Sequence, residues 1–358
     1  MRRKLSCASV ALMLLTSCAV KNSDFATVAF NDVVYVENFP QKYVLEESES
    51  TVMDLPVLGV YDIRILDSLM LLTDSGGGNG FVTVMNHSGE QSLGTFLRQG
   101  NGPNELLFPV PVQNLSEIYN GVVRFCIIDK AYKWDLSKSL LTGQSVMEQI
   151  RDSLQRNMMN GLYINDSTRL QISLSPRQDQ QNRSLVINGC RHELEHLEPL
   201  NSPVLKTKGD AYLFNILTFR TRYESRRRLV VEAGTMLNSI NVYSIDSSFT
   251  RTICLGNSLD NIYDIETLKL INLPYTFSDL RVYDDYFAAM YCGKELKDIR
   301  QKNGTKPLIM LFDYSCEPLA LIELSHDATA FDMSGRYLYV IDGDEEILRR
   351  YDVSHILR

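Results

Sequence analysis

The sequence predicts an all-β fold: a six-bladed β-propeller of mostly four-stranded antiparallel blades, with the last blade closed by the N-terminal strand. Three observations carry that expectation. Short apolar runs separated by tight polar turns recur from Val28 onward, long helical periodicity is nearly absent, and the final unit lacks the outer strand the others have. A pair of all-β sandwiches is the architectural alternative.

The clearest unit lies within Leu58–Glu105: Asp62–Leu66, Leu69–Asp74, Phe81–Asn86, a turn at His87–Glu90, then Ser92–Leu97. One such sheet cannot bury both of its faces, so it needs neighbours, and propellers close ~4–8 blades into a ring. The second unit is expected at Gly121–Asp129, Ala131–Ser137 and Lys138–Gly143. The third comprises Thr168–Ser175, Arg183–Ile187, the turn Asn188-Gly189-Cys190, and a polar strand to Leu200. The fourth is Tyr212–Arg220, Arg227–Ala233, Ser239–Asp246 and Phe249–Gly256. The fifth is Asp279–Asp284, Tyr286–Gly293, Pro307–Asp313 and Leu319–Leu324. The sixth, Ala328–Met333, Arg336–Asp342 and Ile347–Ser354, is one strand short, and Val33–Glu47 is expected to fill the gap beside Tyr337–Asp352. Two stretches break the pattern. Gln144–Gln155 places Val146, Ile150 and Leu154 on one face of a short helix, and Lys294–Asn303 reads as an exposed excursion within the fifth unit.

Composition bounds the function. The 358 residues are 44% apolar and 22% charged, which suits a globular chain with a sizeable core. Formal charge is −8, and removing Arg2, Arg3 and Lys4 leaves −11 for the remainder. That balance disfavours nucleic acid, which requires a basic face. Arg226-Arg227-Arg228, the one sharp basic run, reads as a solvated turn edge.

The first residues have their own logic. Arg2–Lys4 form a positive segment and Ala11–Leu15 a short apolar one. It is too short to span the roughly 30 Å of bilayer hydrocarbon as a helix, so residues 1–17 read as a signal peptide. Leu15-Thr16-Ser17-Cys18 resembles the lipobox of bacterial lipoproteins. The resemblance implies cleavage before Cys18 and acylation of that cysteine, with residues 18–27 as a tether and 28–358 as the propeller. Several acyl chains would anchor the protein stably at a membrane. Ala19–Ser23 carries no acidic cluster resembling a surface-export tag, which points to an outer-membrane lipoprotein facing the periplasm, with the cell surface as the alternative. The other cysteines, apart from Cys7, are Cys126, Cys190, Cys254, Cys292 and Cys316. None has zinc-type spacing, and Cys126 and Cys254 read as core hydrophobes.

The motif with most chemical promise is His192-Glu193-Leu194-Glu195-His196. On a helix, His192 and His196 would share a face and could hold zinc. The upstream Asn188-Gly189 turn and downstream Pro199 place it on a strand instead, where four residues span about 13 Å and cannot close on one ion. No cofactor or metal is expected. Asp74, Asp129 and Asp342 recur at strand ends and read as turn caps. A channel lined by carboxylates, as in a metal-dependent hydrolase or lactonase, is the alternative function. Gly76-Gly77-Gly78-Asn79-Gly80 lacks the lysine and helix of a phosphate loop and reads as a hairpin.

Arg98–Glu105 carries the family character. Gly100, Gly102, Pro103 and Glu105 follow an outgoing strand, and the stretch resembles the G-x-G-P-x-E signature linking blades in TolB-like six-bladed propeller lipoproteins. Asn104 replaces the usual glycine, as a residue that also tolerates a left-handed backbone. The resemblance implies a lipid-anchored binding or scaffold propeller with no catalytic residues to carry over. Its expected partner is a protein, peptide or glycan on a loop face or in the channel.

Overall fold

A computed structural model describes residues 25–75, 80–127, 130–150, 158–207, 213–301, 306–343 and 345–356. The signal peptide, Cys18 and most of the tether lie outside these residues, as do Gly76–Asn79, Asp129, Leu154 and Asn303. Six sheets close into a ring. Blade 1 is Val60–Leu66, Leu69–Asp74, Val82–Asn86 and Ser92–Phe96; blade 3 is Met158–Tyr163, Thr168–Leu174, Gln181–Ile187 and Cys190–Glu193. Blade 4 runs Phe219–Glu224, Leu229–Gly234, Ser239–Ser244 and Thr250–Leu255. Blade 5 runs Pro274–Val282, Tyr286–Glu295, Leu308–Asp313 and Pro318–Leu324. Blade 6 has Ala330–Ser334, Tyr337–Asp342 and Ile347–Asp352 of its own.

Strand alternation explains the closure. In blade 1, Leu71 packs toward blade 2 with Phe125 and Trp134, while Met70 and Leu72 pack toward blade 6 with Ile341 and Leu348. Each of the six interfaces has its own buried cluster, so every blade spends both faces on neighbours. The smallest among the described residues is between blades 2 and 3, a cluster of Cys126, Ala131, Met158 and Tyr163.

Blade 2 is the irregular one. Its laddered strands are Val122–Ile127, Lys130–Asp135 and Met147–Ile150. The inner position is taken by the segment around Pro109–Ser116, whose prolines cannot donate ladder bonds. Side chains hold it instead: Thr73 Oγ1 donates to the Val110 carbonyl (3.0 Å) and accepts from Val112 N (2.9 Å), and Asp62 Oδ2 accepts from Gln113 N (3.2 Å).

The N-terminal segment closes the ring, but not with the stretch the sequence singles out. Thr51–Asp54 pairs antiparallel with Ile347–Arg350 and completes blade 6. Val33–Val36 lies parallel on the outer edge of blade 4, and Lys42–Leu45 parallel on that of blade 5. The segment is a belt over three successive blades. Only its last part, directly before the inner strand of blade 1, is placed to reach blade 6, while Val36 and Leu45 find buried seats earlier.

Other departures are local. Lys138–Gly143 belongs to a helix, Leu136–Thr142, capped by the Asp135 carboxylate accepting from Lys138 N and ended by Gly143 at φ 67°. Gln144–Gln155 contains the outer strand of blade 2 rather than a helix; Met147 and Ile150 pair with Trp134 and Ala131. Asn188 and Gly189 both take positive φ (50° and 78°) and make the hairpin the sequence predicts. The following strand stops at Glu193, and the chain turns through 3₁₀ residues Glu195–Leu197 into the short helix Glu198–Asn201, with Pro199 in its first turn. Of the expected strand Tyr212–Arg220, Tyr212 lies outside the described residues, Leu213–Leu217 is a 3₁₀ turn, and the strand starts at Phe219. In Lys294–Asn303 the first two residues still belong to the strand Tyr286–Glu295, and the helical turn Leu296–Arg300 follows.

Candidate functional site

The inner strands surround the channel, and their period of two aims charged residues at it. Asp62 and Arg64, Arg220 and Arg222, and Asp279 and Arg281 are i, i+2 pairs on three inner strands; Asp332 adds a fourth. Arg281 is the hub. Its Nη2 donates to Asp62 Oδ1 (3.0 Å) and the Ile63 carbonyl (2.9 Å), its Nη1 lies 2.8 Å from Asp279 Oδ1, and its Nε donates to the Phe331 carbonyl (2.7 Å). Against the cost of burial, Asp279 and Asp62 hold the Arg281 guanidinium above its usual range, so it stays charged.

The remaining carboxylates are equally engaged. Asp332 accepts from Ile65 N (2.6 Å), Met333 N (2.8 Å) and the Tyr283 hydroxyl (3.0 Å). Burial pushes the Asp332 carboxyl up. Burial, opposed by Arg281, raises Asp279 as well. Arg222 bridges across the axis: its Nε donates to the Leu280 carbonyl (2.8 Å), its Nη2 donates to Gln113 Oε1, and Asp279 lies 3.8 Å away. Burial and the nearby Arg281 charge bring Arg222 down to about 9. A hydrolase channel needs carboxylates that converge on a cation; these are spent on arginine, tyrosine and backbone donors. Among the described residues, no group of three or more His, Cys, Asp and Glu side chains is placed to hold a metal ion.

Gln113 and Arg222 divide the open space. On one side lies a chamber of about 350 Å³ lined by Pro109, Pro111, Asn160, Gln181 and Arg220. On the other, where the Tyr163–Thr168 hairpin turns, lies a chamber of about 550 Å³. Its walls include Leu115, Ile118, Leu162 and Ile164, its rim Tyr119, which is 62% exposed, and its charged groups Arg64, Arg124, Glu117 and Asp166. Both chambers open where blade 2 lacks a regular inner strand and the interface with blade 3 is thin. These volumes fall in the usual range for small-ligand sites, ~300–1,000 Å³.

The residues predicted from sequence sit elsewhere. His192 is exposed on the outer strand of blade 3, and His196 is in the 3₁₀ turn with Nε2 2.8 Å from the Ser244 carbonyl. The two are not on one helix. Asp342 accepts from Glu345 N (3.1 Å) and pairs with Arg349 (3.3 Å), and Asp74 is buried at the corresponding strand end. In the basic run, Glu224 accepts from Arg226 N and Arg227 N, and the three guanidiniums face Asp284, Asp285 and Asp246. Cys126, Cys254 and Cys316 are buried and Cys190 is exposed, and among the described residues these cysteines and Cys292 form no disulfide.

The blade-linking motif closes on itself outside the channel. Arg98–Gln99 pairs parallel with Glu105–Leu106, and Glu105 Oε2 accepts from Gly102 N at 2.7 Å. A Cβ on Gly100 would stand 2.0 Å from that same oxygen. Asn104 is not left-handed; its Oδ1 accepts from Met147 N (3.0 Å) and so ties the motif to the outer strand of blade 2. Gly100→Ala should therefore push the Glu105 carboxylate off Gly102 N and lower the urea unfolding free energy by about 1–3 kcal/mol, the range for a hydrogen bond to a charged group.

Sequence reading missed the channel lattice, although Asp62-x-Arg64 and Asp279-x-Arg281 are visible as charges alternating within otherwise apolar first strands. The class the fold defines is a six-bladed β-propeller. No protein-family model matches the chain, and no curated protein matches it. Among solved structures it is similar to a member of the DUF4221 family from Bacteroides vulgatus, with 11% identity, 85% of this chain and 98% of that one covered, and a TM-score of 0.52. It is also similar to regucalcin, a calcium-binding protein from Agrobacterium tumefaciens, with 11% identity, 86% and 95% covered, and a TM-score of 0.47. At such identity the likeness is one of fold.

Proposed function

We propose that the chain is a binding or scaffold propeller of the bacterial cell envelope, attached to the outer membrane through acylated Cys18 and facing the periplasm. On this reading it is a lipoprotein of the TolB-like kind that its Gly100–Glu105 linker resembles. The observation that carries the binding reading is the chamber of about 550 Å³ at one channel mouth, apolar-walled, with arginines beneath an exposed tyrosine. The belt supports the anchoring part: Ala26 N donates to Asn261 Oδ1 (3.0 Å), so the chain leaves the tether already fixed to the rim of the ring. Cys18→Ser should move the protein from the membrane fraction to the soluble periplasmic fraction and leave its fold intact. Crosslinking in intact envelopes, with and without that substitution, then tests for a partner. Retention of the serine variant at the membrane would sink the anchor, and an empty partner set would sink the binding role.

A further inference from the structure

We propose that the larger chamber binds a single carboxylate carried on an apolar group, with Arg64 as the receiving cation. The proposal rests on the binding reading above and names its ligand chemistry.

Among the described residues, three arginines and two acids line the larger chamber. Arg124 is paired with Asp166 at 2.8 Å. Arg222 is held by Gln113, the Leu280 carbonyl and nearby Asp279. Glu117 accepts from the Ser225 hydroxyl at 3.0 Å. That leaves Arg64. Its Nη1 donates to the carbonyls of Val112 and Leu115, while Nε and Nη2 make no hydrogen bond, and no salt bridge engages the side chain among the described residues. Burial, countered by Asp332, brings its guanidinium down to about 10, so it remains charged at neutral pH.

The remaining donors select the ligand. A guanidinium offers five N–H groups in a planar fork that matches a carboxylate. With Nη1 taken by two carbonyls, Arg64 presents one edge, Nε with Nη2, and that edge matches the two oxygens of one carboxylate. Leu115, Ile118, Leu162 and Ile164 supply apolar wall on which the body of the ligand can rest, with Tyr119 at the entrance. A free organic acid and the C-terminus of a peptide both present this chemistry.

Calorimetry on the full-length lipidated protein in detergent separates them. The probes are 4-phenylbutyrate and the N-acetylated tripeptide Ala-Leu-Phe with a free C-terminus, each beside its amide. At least one acid should bind, at least tenfold tighter than its amide. Arg64→Met should weaken the acid by roughly 10- to 100-fold, the range for a hydrogen-bonded charge, and leave the amide unchanged. Should Arg64→Met fail to fold, Arg64→Lys keeps the charge without the fork and should still weaken the acid. Binding of the small acid alone points to a free acid, and of the peptide alone to a chain terminus. Equal binding of acids and amides, wild-type affinity in the folded variants, or no binding by either acid overturns the proposal. In that event a Cys18-dependent crosslinked partner would leave the binding reading standing, and its absence would remove both.

Discussion

Replacing Glu232 with alanine should cost about 3–5 kcal/mol, the usual penalty for stranding a buried charge. Arg183 and Glu232 form an ion pair with both side chains 0% exposed, 2.8 Å from Nη2 to Oε2, across the interface of blades 3 and 4. The pair is fully subscribed. Arg183 Nε donates to Oε2 (2.8 Å) and Nη1 to the Leu200 carbonyl (3.0 Å), while the Tyr243 hydroxyl donates to Oε1 (2.8 Å). Burial and then the Glu232 charge push the Tyr243 phenol well above its ordinary range, so it remains a donor. Removing Glu232 strands a guanidinium over the Phe219 ring and a phenol without an acceptor. The fully apolar variant Arg183→Met/Glu232→Leu/Tyr243→Phe, which leaves no phenol stranded, has the opposite sign: desolvation of both ions disappears, and stability should be unchanged or higher by about 1–4 kcal/mol. Urea unfolding of both variants decides the matter. If Glu232→Ala loses less than about 1 kcal/mol, the pair is not holding blade 3 to blade 4.

Legibility in the sequence followed the physics of each element. Strands sandwiched between two blades, such as Leu69–Asp74 and Tyr337–Asp342, are continuous apolar runs, and the Asn188-Gly189 pair marks its own hairpin. Met158–Tyr163 was not legible because Asn160 and Gly161 weaken its strand signal, although Gly161 is required where a Cβ would meet Cys126 Sγ at 2.6 Å. The inner segment of blade 2 has no ladder to betray it, since its prolines replace one with side-chain bonds from Thr73 and Asp62. Short apolar spacing deceived twice: Val146 and Ile150 suit a helix face equally well, and Leu140 and Leu141 suit a strand, but the Asp135 cap and Gly143 settle which becomes which. The histidine motif follows the expected strand only to Glu193, since Glu195 and His196 turn in 3₁₀ geometry ahead of Pro199. The channel arginines were visible as residues but not as a site, because only ring closure brings Asp62 and Arg281, 219 positions apart, into contact.

The belt gives the second large effect. Phe30 lies outside every repeat, yet it is 3% exposed and packs edge-on against Tyr243 at 6.0 Å within the cluster between blades 3 and 4. Its backbone N–H donates to Thr252 Oγ1 (2.8 Å), and the Val28 carbonyl accepts from Asn241 Nδ2 (3.0 Å), so this stretch completes the hydrogen bonding of a buried Thr252–Asn241 pair in blade 4. Phe30→Ala should destabilise the whole propeller by about 3–5 kcal/mol, the range for deleting a buried aromatic side chain. The exposed Tyr35, on the adjoining strand, should tolerate alanine within about 0.5 kcal/mol and serves as the control. If the belt were a loosely laid tether, both substitutions would be silent and limited proteolysis would release residues 25–54 from an intact ring. If it is the seam of the ring, Phe30→Ala lowers the urea midpoint of a single cooperative transition, because Val33–Val36, Lys42–Leu45 and Thr51–Asp54 carry that loss to three blades.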